Sequence, residues 1–277
     1  MTGAPTLSVV IPAYNNGRTL AETIDSVLFQ EGVDFELIIA DHSSSDDTRA
    51  VMARYGEDPR VMLLGTEAGG GAGRNWNRVS DAANGEFIKL VCGDDILRPG
   101  TLARQVELLR GTGAVLTACR RDVVDADGKV LMSGWGLRGL RGPLDGAAAV
   151  RKAVLAGSNL FGEPASVTMH RATFVKSGGW FDRFPYLIDQ ASYSRVLLHG
   201  SFVPDPEVGA TFRMSSAQWS VALTRDQSSQ ARGFHAWLRA EHPEVISSVD
   251  RTIGDLRATL MAHARRLSYR LLERRMR

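Results

Sequence analysis

The chain has 277 residues, 44% hydrophobic and 23% charged, which suffices for one large globular domain or two small ones. No stretch of the sequence approaches the roughly 18 continuous apolar residues of a membrane span. Of the net charge of +2, residues 257–277 contribute +6, from seven arginines and one acid, which leaves −4 for the rest of the chain. A mildly acidic body with a basic tail argues against a nucleic-acid-binding protein, whose positive charge should cover a face of the folded domain.

The sequence also indicates a cellular compartment. Residues 1–5 lead at once into a strand pattern and lack the charged and apolar regions of a signal peptide. The two cysteines, Cys92 and Cys119, lie in apolar, strand-like contexts, which indicates reduced, buried thiols rather than a disulfide framework or a zinc site. We therefore expect a cytoplasmic protein.

The first 110 residues alternate strand and helix patterns. Apolar runs predict strands at 7–11, 35–40, 61–64 and 87–92, and helical periodicity predicts helices at 18–30, 46–55 and 74–83. Ser45 or Asp46 is a candidate N-cap of the second helix. Repeated βα units with short connections predict an α/β fold, a mainly parallel sheet with helices on both faces.

Beyond residue 112 the pattern loosens. The glycine- and arginine-rich stretch 134–146 is predicted to be a mobile loop. The other predicted elements are a strand at 114–120, a hairpin with its turn at 127–128 between 123–124 and 130–131, helices at 147–155 and 189–199, and short strands at 202–203 and 210–214.

Two adjacent carboxylates, Asp94 and Asp95, end the apolar run at 87–92, where Gly93 lets the backbone leave the strand. Acids at the exit of a buried strand repel each other and lose hydration, so they need a positive partner. A divalent cation bound to a diphosphate would meet that need, because Mg²⁺ and Mn²⁺ take oxygen ligands and share them with phosphates. The alternative is an ordinary surface turn, in which Asp-Asp pairs are common.

Polar residues follow three different predicted strands at one edge of the sheet. Asn15 follows the first strand, Asp41 the second, and the Asp94-Asp95 pair the fourth. Ligands of parallel sheets bind beyond the carboxyl ends of the strands, so we expect these side chains to converge on one binding site.

Four sequence blocks have a characteristic order and spacing: Ser8–Asn15, Asp41–Thr48, Gly73–Asn75 and Gly93–Asp95. Over roughly the first 110 residues this series resembles the family-two inverting glycosyltransferases. The resemblance implies the GT-A fold with its Rossmann-like sheet, a nucleotide-diphosphate-sugar donor, and Mg²⁺ or Mn²⁺.

The resemblance also suggests how the chain is divided. Residues 1–112 form the nucleotide-sugar-binding half of the GT-A domain, and residues 113–216 form its acceptor-binding half. Residues 217–277 form a C-terminal helical extension that is basic and amphipathic.

The nucleoside site implied by the resemblance follows the first two strands. Asp41 accepts a hydrogen bond from the N3–H of uracil or thymine, which discriminates against bases that lack this donor. Alternatively, Asp41 only caps the following turn. The base and ribose are held by backbone groups and by the Tyr14 ring in the turn formed by Pro12, Ala13, Tyr14 and Asn15.

The diphosphate and metal sites are also implied by the resemblance. Arg74 and Arg213 contact the diphosphate, although each could instead form a structural ion pair. Asp95 binds the metal with Asp94 assisting, and Asp94 also contacts the donor. Many relatives carry a further acid where this chain has Cys92.

The candidate base is Asp189, which would remove the proton from the acceptor hydroxyl. Relatives have an acid here and an arginine six residues later, which matches Arg195, but Ile188 replaces the acid that often precedes it. A carboxylate with an ordinary pKa near ~4 is ionised at neutral pH and needs no tuning. The alternative is that Asp189 caps a helix. Residues 178–182 are the expected acceptor-side wall.

The tail, residues 250–277, has the periodicity of one long helix. One interpretation is a basic amphipathic helix on the anionic inner face of the membrane, and the other is a helix packed on the body or in a homodimer. Its apolar stripe consists of Ile253, Leu256, Leu260, Ala264, Leu267 and Leu271.

The resemblance implies an inverting glycosyltransferase that moves a sugar from a UDP- or dTDP-linked donor to a hydroxyl acceptor. The acceptor is expected to be a lipid-linked or cell-envelope glycan, with a soluble small molecule as a variant. One alternative is a non-catalytic nucleotide-sugar-binding protein on the same fold, suggested by Cys92 and Ile188. The other is a sugar-phosphate nucleotidyltransferase, which should carry a basic glycine-rich loop after the first strand; residues 12–17 lack one.

Overall fold

A ten-stranded sheet forms the centre of the part of the chain that the structure, a computed structural model, describes: residues 3–214 and 226–275. The strands are β1 (Leu7–Ala13), β2 (Phe35–Asp41), β3 (Val61–Gly65), β4 (Phe87–Leu90), β5 (Ile96–Leu97), β6 (Leu116–Val124), β7 (Val130–Trp135), β8 (Leu144–Asp145), β9 (Val167–His170) and β10 (Ser201–Arg213).

Nine α-helices lie within these same described ranges. They are α1 (Leu20–Leu28), α2 (Thr48–Ala53), α3 (Gly71–Asp81), α4 (Thr101–Thr112), α5 (Gly146–Ala156), α6 (Arg171–Lys176), α7 (Ile188–Leu197), α8 (Gln227–Glu241) and α9 (Ser248–Arg275). None of them is long and apolar enough to cross a membrane.

The strand order is β3-β2-β1-β4-β9-β6-β10-β5, with β7 on β6 and β8 on β10. The β1–β4 unit is parallel, and so is the β6–β10 pair. Strand β9 lies between these two parallel units and is antiparallel to both β4 and β6. The prediction of a mainly parallel α/β sheet is confirmed, and β9 joins the halves into one sheet.

Helices cover both faces of the sheet because its central strands are buried on both sides. Along β1, Val10 packs into one core layer, while Val9 and Ile11 pack into the other. Helices α1, α2 and α4 cover the second layer, and α3, α5, α7 and α8 cover the first.

Several predicted boundaries differ from the structure. Strand β10 is one continuous strand with irregular register, where two short strands are predicted. The predicted loop at 134–146 is instead anchored: Leu137 and Leu140 are buried in the core, and the stretch contains the end of β7 and all of β8. Glycine and arginine dominate the composition of this stretch, so these two leucines alone do not indicate burial from the sequence. The hairpin at 127–128 is confirmed.

Asn75, on α3, joins the carboxyl ends of three strands from within the core. Its side-chain amide donates to the carbonyls of Ala13 at 3.2 Å and Ala40 at 3.1 Å. Its oxygen accepts from the Thr66 hydroxyl at 2.6 Å, just after β3. One neutral side chain therefore fixes the edge of the sheet at which the polar residues converge.

Replacing Asn75 by alanine should lower the free energy of unfolding by about 2–4 kcal/mol, because it leaves three buried polar groups unpaired and opens a small cavity. Chemical denaturation measures this loss. Arg78→Ala, at an exposed position on the same helix, is the matched control and should change stability by no more than about 0.5 kcal/mol. Equal losses in the two variants would contradict this role of Asn75.

Candidate active site

Two loops at the carboxyl edge of the sheet are bound to each other. The Asn15 backbone N–H donates to the Ser44 hydroxyl at 3.0 Å, and the Asn15 side chain accepts from the Ser45 N–H at 2.9 Å. Asn15 and Ser43 both adopt positive φ angles, 51° and 54°. Such left-handed conformations are uncommon outside glycine and concentrate at binding sites. The first two sequence blocks therefore form one rigid rim.

Asp41 lies at the base of this rim and is nearly fully buried. Its carboxylate accepts from the Ser44 N–H at 3.1 Å and from the Arg49 guanidinium at 3.2 Å, although the Arg49 side chain is 80% exposed. The turn-capping alternative is thus realised in this structure. The carboxylate also remains at the strand end where a nucleobase edge could meet it, so its role in base recognition stays a prediction.

The Tyr14 ring is 59% exposed on the rim beside the His42 ring, with the two ring centroids 5.9 Å apart. A ring nitrogen of His42 lies 2.9 Å from the Gly69 carbonyl, which ties this rim to the loop before α3. The exposed Tyr14 ring is available to stack on a planar base.

Arg74, in the first turn of α3, interacts with its own loop. Its guanidinium pairs with Glu67 at 2.9 Å and donates to the Ala68 carbonyl at 3.1 Å. Both partners lie in the loop before α3, next to the rim. Arg74 is thus engaged in the surface ion pair that the sequence leaves as its alternative, and its contact with a diphosphate stays a prediction.

The acidic loop leaves β4 at Gly93, where the backbone passes close to the Asn16 side chain. A Cβ added at Gly93 would lie 2.6 Å from the Asn16 side-chain oxygen, so only glycine fits without rearrangement. The Gly93 carbonyl also accepts from the Thr19 hydroxyl at 2.8 Å. These contacts bring Asp94 and Asp95 against the loop that follows β1.

Arg213, at the end of β10, holds the acidic loop from the other side. Its backbone N–H donates to Asp95 at 3.2 Å, and its guanidinium donates to the Asp94 carbonyl at 3.2 Å. The guanidinium also pairs with Glu22 at 2.7 Å. Arg213 therefore lies at the predicted site, and its contact with a diphosphate remains a prediction. Residues 215–225, which follow β10, lie outside the described residues.

The residues present fit a divalent cation at Asp95. This side chain is fully buried, and its Oδ2 atom has no hydrogen-bond partner among residues 3–214 and 226–265. Burial, and then the adjacent Asp94, raise the pKa of Asp95 well above its usual value. No group of three or more acidic, histidine or cysteine ligands occurs in the described ranges. Asp94 and Asp95 would thus be the two protein ligands, and the assignment of a metal to them stays a prediction.

Asp189 lies at the start of α7 and is held by Asn159. The Asn159 amide donates to Asp189 Oδ2 at 2.8 Å and to the Gly162 carbonyl at 2.8 Å, while its oxygen accepts from the Phe161 and Gly162 N–H groups. Asp189 is the second residue of α7, so it is not the N-cap residue of that helix. Asn159 is the residue that orients the candidate base.

The expectation of an ordinary pKa at Asp189 is wrong. Burial raises the pKa of Asp189 to about 7, and the Glu163 carboxylate acts in the same direction. Hydrogen bonds from the Gln190 N–H and from Asn159 oppose this rise only partly. Such a pKa is suited to a general base at neutral pH, because proton transfer is most effective when the pKa lies near the working pH.

The Cys92 thiol lies within electrostatic reach of four carboxylates. Burial raises the pKa of Cys92 well above its usual value, and Asp95, Asp94, Asp189 and Glu163 raise it further. Because these interactions are electrostatic and fall off with distance, the acidic loop and the candidate base face one region of the molecule. The structure thus brings together both ends of the predicted site, which lie about 95 residues apart in the sequence.

Sequence reasoning missed Glu163 and Arg121. Arg121 is almost fully buried, ion-paired with Glu163, and donates to the Trp135 carbonyl at 3.3 Å. Asn159, which holds the adjacent Gly162, was missed as well. The available signal was one acid, Glu163, in the otherwise uncharged stretch 160–167, because an acid in a buried segment is costly unless it is paired.

The predicted acceptor wall packs against α7 and α3. The Arg195 guanidinium lies over the Phe181 ring, 4.6 Å from its centroid, and the Trp180 ring nitrogen donates to Ser80 at 2.8 Å. The Arg195 side chain therefore packs on the wall through Phe181. The assignment of residues 178–182 to the acceptor stays a prediction.

Comparison with known proteins adds independent findings. The family model described as Glycosyl transferase family 2 matches residues 8–156. The succinoglycan biosynthesis protein ExoO of Rhizobium meliloti is 37% identical over 127 residues, 46% of this chain and 36% of ExoO. The UDP-Glc:α-D-GlcNAc-diphosphoundecaprenol β-1,3-glucosyltransferase WfgD of Escherichia coli is 34% identical over 103 residues, 37% of this chain and 40% of WfgD. The match thus covers less than half the length of either relative.

Solved structures share the fold. Residues 1–349 of Staphylococcus aureus TarS in complex with UDP-GlcNAc give a TM-score of 0.69 at 15% identity, covering 84% of this chain and 66% of that one. The mannosyltransferase PcManGT of Pyrobaculum calidifontis, in complex with GDP-Man and Mn²⁺, gives a TM-score of 0.64 at 16% identity. The alignment covers 94% of this chain and 70% of PcManGT. These likenesses confirm the predicted GT-A fold.

The raised pKa of Asp189 predicts a pH-dependent loss of stability. Its folded pKa of about 7 exceeds the ordinary value of 3.8, so its stabilising contribution is present in acid and is lost as the pH rises through 7. Between about pH 5 and pH 8, the free energy of unfolding of the wild type should fall by roughly 2–3 kcal/mol more than that of the Asp189→Asn variant. Urea unfolding with EDTA present measures this difference.

Asp58→Asn is the control for this measurement. Asp58 lies at the opposite end of the sheet, paired with Arg60, and its pKa is lowered, so it stays ionised across this range. The free energy of unfolding of Asp58→Asn should change with pH in parallel with that of the wild type. Parallel curves for Asp189→Asn and wild type would show that Asp189 has no raised pKa.

Proposed function

Because the chain belongs to glycosyl transferase family 2, we propose that it is an inverting glycosyltransferase that uses a UDP- or dTDP-sugar and a divalent cation. The acceptor is a hydroxyl group of a lipid-linked or cell-envelope glycan, and the reaction takes place in the cytoplasm, at the inner face of the membrane. The observation that carries this proposal is that Asp94, Asp95 and Asp189 all lie within electrostatic reach of the Cys92 thiol.

The donor assignment rests on the rim formed by the first two sequence blocks. Asp41 supplies an anionic acceptor at the end of β2, which suits the N3–H of uracil or thymine, and the exposed Tyr14 ring would stack on the base. TarS, which shares the fold, is known with UDP-GlcNAc, whereas the mannosyltransferase is known with GDP-Man. Proteins of this fold bind donors with different nucleobases, so the local contacts of this chain must decide which nucleobase it prefers.

Asp95, assisted by Asp94, would hold Mg²⁺ or Mn²⁺, with the donor diphosphate supplying further oxygen ligands. The cation would stabilise negative charge on the departing diphosphate. The unpartnered Oδ2 of Asp95 supports this assignment, because a buried carboxylate oxygen without a hydrogen bond is costly unless a cation compensates it. Arg213 keeps the loop in place through Asp95 and the Asp94 carbonyl.

Asp189 acts as the general base in this proposal. The acceptor oxygen attacks the anomeric carbon while Asp189 takes the hydroxyl proton; the bond to the diphosphate breaks and its electron pair leaves with the nucleotide. Attack from the face opposite the leaving group inverts the anomeric configuration. Asn159 holds the carboxylate in position, and burial keeps the pKa of Asp189 near 7 so that it can accept the proton.

The class of acceptor is supported by relatives. The name of WfgD specifies a sugar linked to diphosphoundecaprenol, and ExoO is named for succinoglycan biosynthesis. Both names point to glycans of the cell envelope. We therefore propose an acceptor of this class.

Asp189→Asn should lower kcat of sugar transfer by about 10²–10⁴-fold, because a neutral amide cannot take the acceptor proton. Binding of the nucleotide should change little, since Asp189 lies on the acceptor side. The wild-type kcat/KM should fall below about pH 7, as the carboxylate becomes protonated. Asp58→Asn serves again as control. Unchanged turnover in Asp189→Asn would show that another group is the base, and nucleotide binding without any wild-type turnover would favour a non-catalytic binding protein.

UDP or dTDP should raise the melting temperature more than GDP, ADP or CDP does, and Mn²⁺ should increase the effect, because ligands that bind only the folded state stabilise it by mass action. Asp95→Asn should lose the increment due to Mn²⁺ while Asp58→Asn keeps it. A thermal-shift panel measures both effects. A larger shift of the melting temperature with GDP would contradict the assignment of uracil or thymine as the nucleobase. If Mn²⁺ adds as much to the melting temperature of Asp95→Asn as to that of the wild type, the metal assignment is wrong.

A further inference from the structure

We propose that helix α9 docks on an anionic lipid surface through an outer face formed by Val249, Ile253, Leu256 and Leu260. Spacings of four, three and four residues place these side chains on one side of the helix, along about 17 Å of its axis. Their exposed fractions are 66%, 37%, 62% and 60%.

The helix packs on the body through a different face. Gly254, Ala258 and Ala262 form this packed face, and both alanines are almost fully buried. A Cβ added at Gly254 would lie 2.7 Å from the Val154 carbonyl oxygen of α5, so the small residues are what permits the close approach. The larger apolar residues therefore point away from the body. Ile253, Leu256 and Leu260 of the predicted stripe are thus exposed, whereas the side chains of Leu267 and Leu271 lie outside the described residues.

Polar contacts fix this orientation at the start of the helix. Asp250 forms an ion pair with Arg151 of α5 at 2.8 Å, and the Asp255 carboxylate is hydrogen-bonded to the His235 ring of α8 at 2.7 Å. Arg257 donates to the Leu155 carbonyl at 2.8 Å. Rotating α9 to bury the outer face would break all three contacts, so this face stays available to a partner.

The charge of the helix favours an anionic partner over a second copy of the chain. Asp250 and Asp255, its two acids before residue 257, are both engaged with basic residues of the protein. Residues 257–277 add seven arginines and only Glu273 as an acid. Two such helices brought together would repel each other, whereas anionic lipid headgroups attract arginines and the bilayer accepts the apolar face.

The position of α9 connects the lipid surface with the candidate acceptor side. Arg265 donates to the Tyr186 hydroxyl at 2.7 Å, and Tyr186 lies three residues before Asp189. Docking would therefore place the segment that precedes Asp189, the candidate base, close to the bilayer. The docking itself stands without the proposed function, and only this link to a lipid-linked acceptor rests on it.

The experiment compares the full-length wild type with Leu256→Asp/Leu260→Asp in vesicle flotation. One set of vesicles is phosphatidylcholine alone, and the other contains about 30% phosphatidylglycerol. The wild type should bind the anionic vesicles at least about tenfold more tightly than the neutral ones, and rising salt should weaken binding. The double variant should lose at least about tenfold in affinity for anionic vesicles.

Phe29→Asp/Val175→Asp is the matched control, because it makes the same charge change at apolar side chains that are 77% and 59% exposed on other parts of the surface. It should bind vesicles within about twofold of the wild type. Leu256→Ser/Leu260→Ser, which adds no charge, should also weaken binding and separates loss of the apolar face from added repulsion. Circular dichroism confirms that each variant is folded.

Three results would overturn the proposal: no binding of the wild type to anionic vesicles, equal binding by Leu256→Asp/Leu260→Asp, or a wild-type dimer in light scattering that this double variant dissociates. The last result would make a second copy the occupant of the outer face. The vesicle assay contains no nucleotide sugar. Failure of docking therefore leaves transfer to a soluble acceptor intact, and failure of the proposed reaction leaves vesicle binding intact.

Discussion

Carboxylates crowded at the buried exit of β4 are the constraint on which the rest of the site depends. Asp95 is fully buried beside Asp94, and one of its oxygens has no hydrogen-bond partner in the described ranges. Such groups repel each other and lose hydration, so without a cation they weaken the fold. A divalent ion would remove this cost. The feature that limits stability is then the same one that would bind the donor, which is a common compromise at functional sites.

Neutral amides position the charged groups around this edge. Asn75 joins the ends of β1 and β2 to Thr66, and Asn159 holds Asp189 against the Gly162 loop. Each amide offers both donors and an acceptor, so it satisfies several backbone groups without adding charge. An acid at either position would add to the repulsion among the carboxylates. Rigid, uncharged supports of this kind let the acids remain close together.

The C-terminal helix shows how one amphipathic sequence can serve two surfaces. Its small residues, such as Gly254 and Ala258, allow close packing on α5, while its larger apolar residues remain exposed. Periodicity alone identifies the stripe, but it does not reveal which face packs on the body. That choice depends on the shape of α5 and on ion pairs such as Asp250 with Arg151.

The sequence by itself determined the α/β sheet, its order of βα units in the first half, and the polar positions at the strand ends, because periodicity and turn chemistry are local. Only the tertiary structure decided that β9 links the two halves, that Asn159 and Glu163 reach Asp189, and that burial raises the pKa of Asp189. The physical reason is that solvation and electrostatic coupling depend on which distant segments meet in space, which no local pattern records.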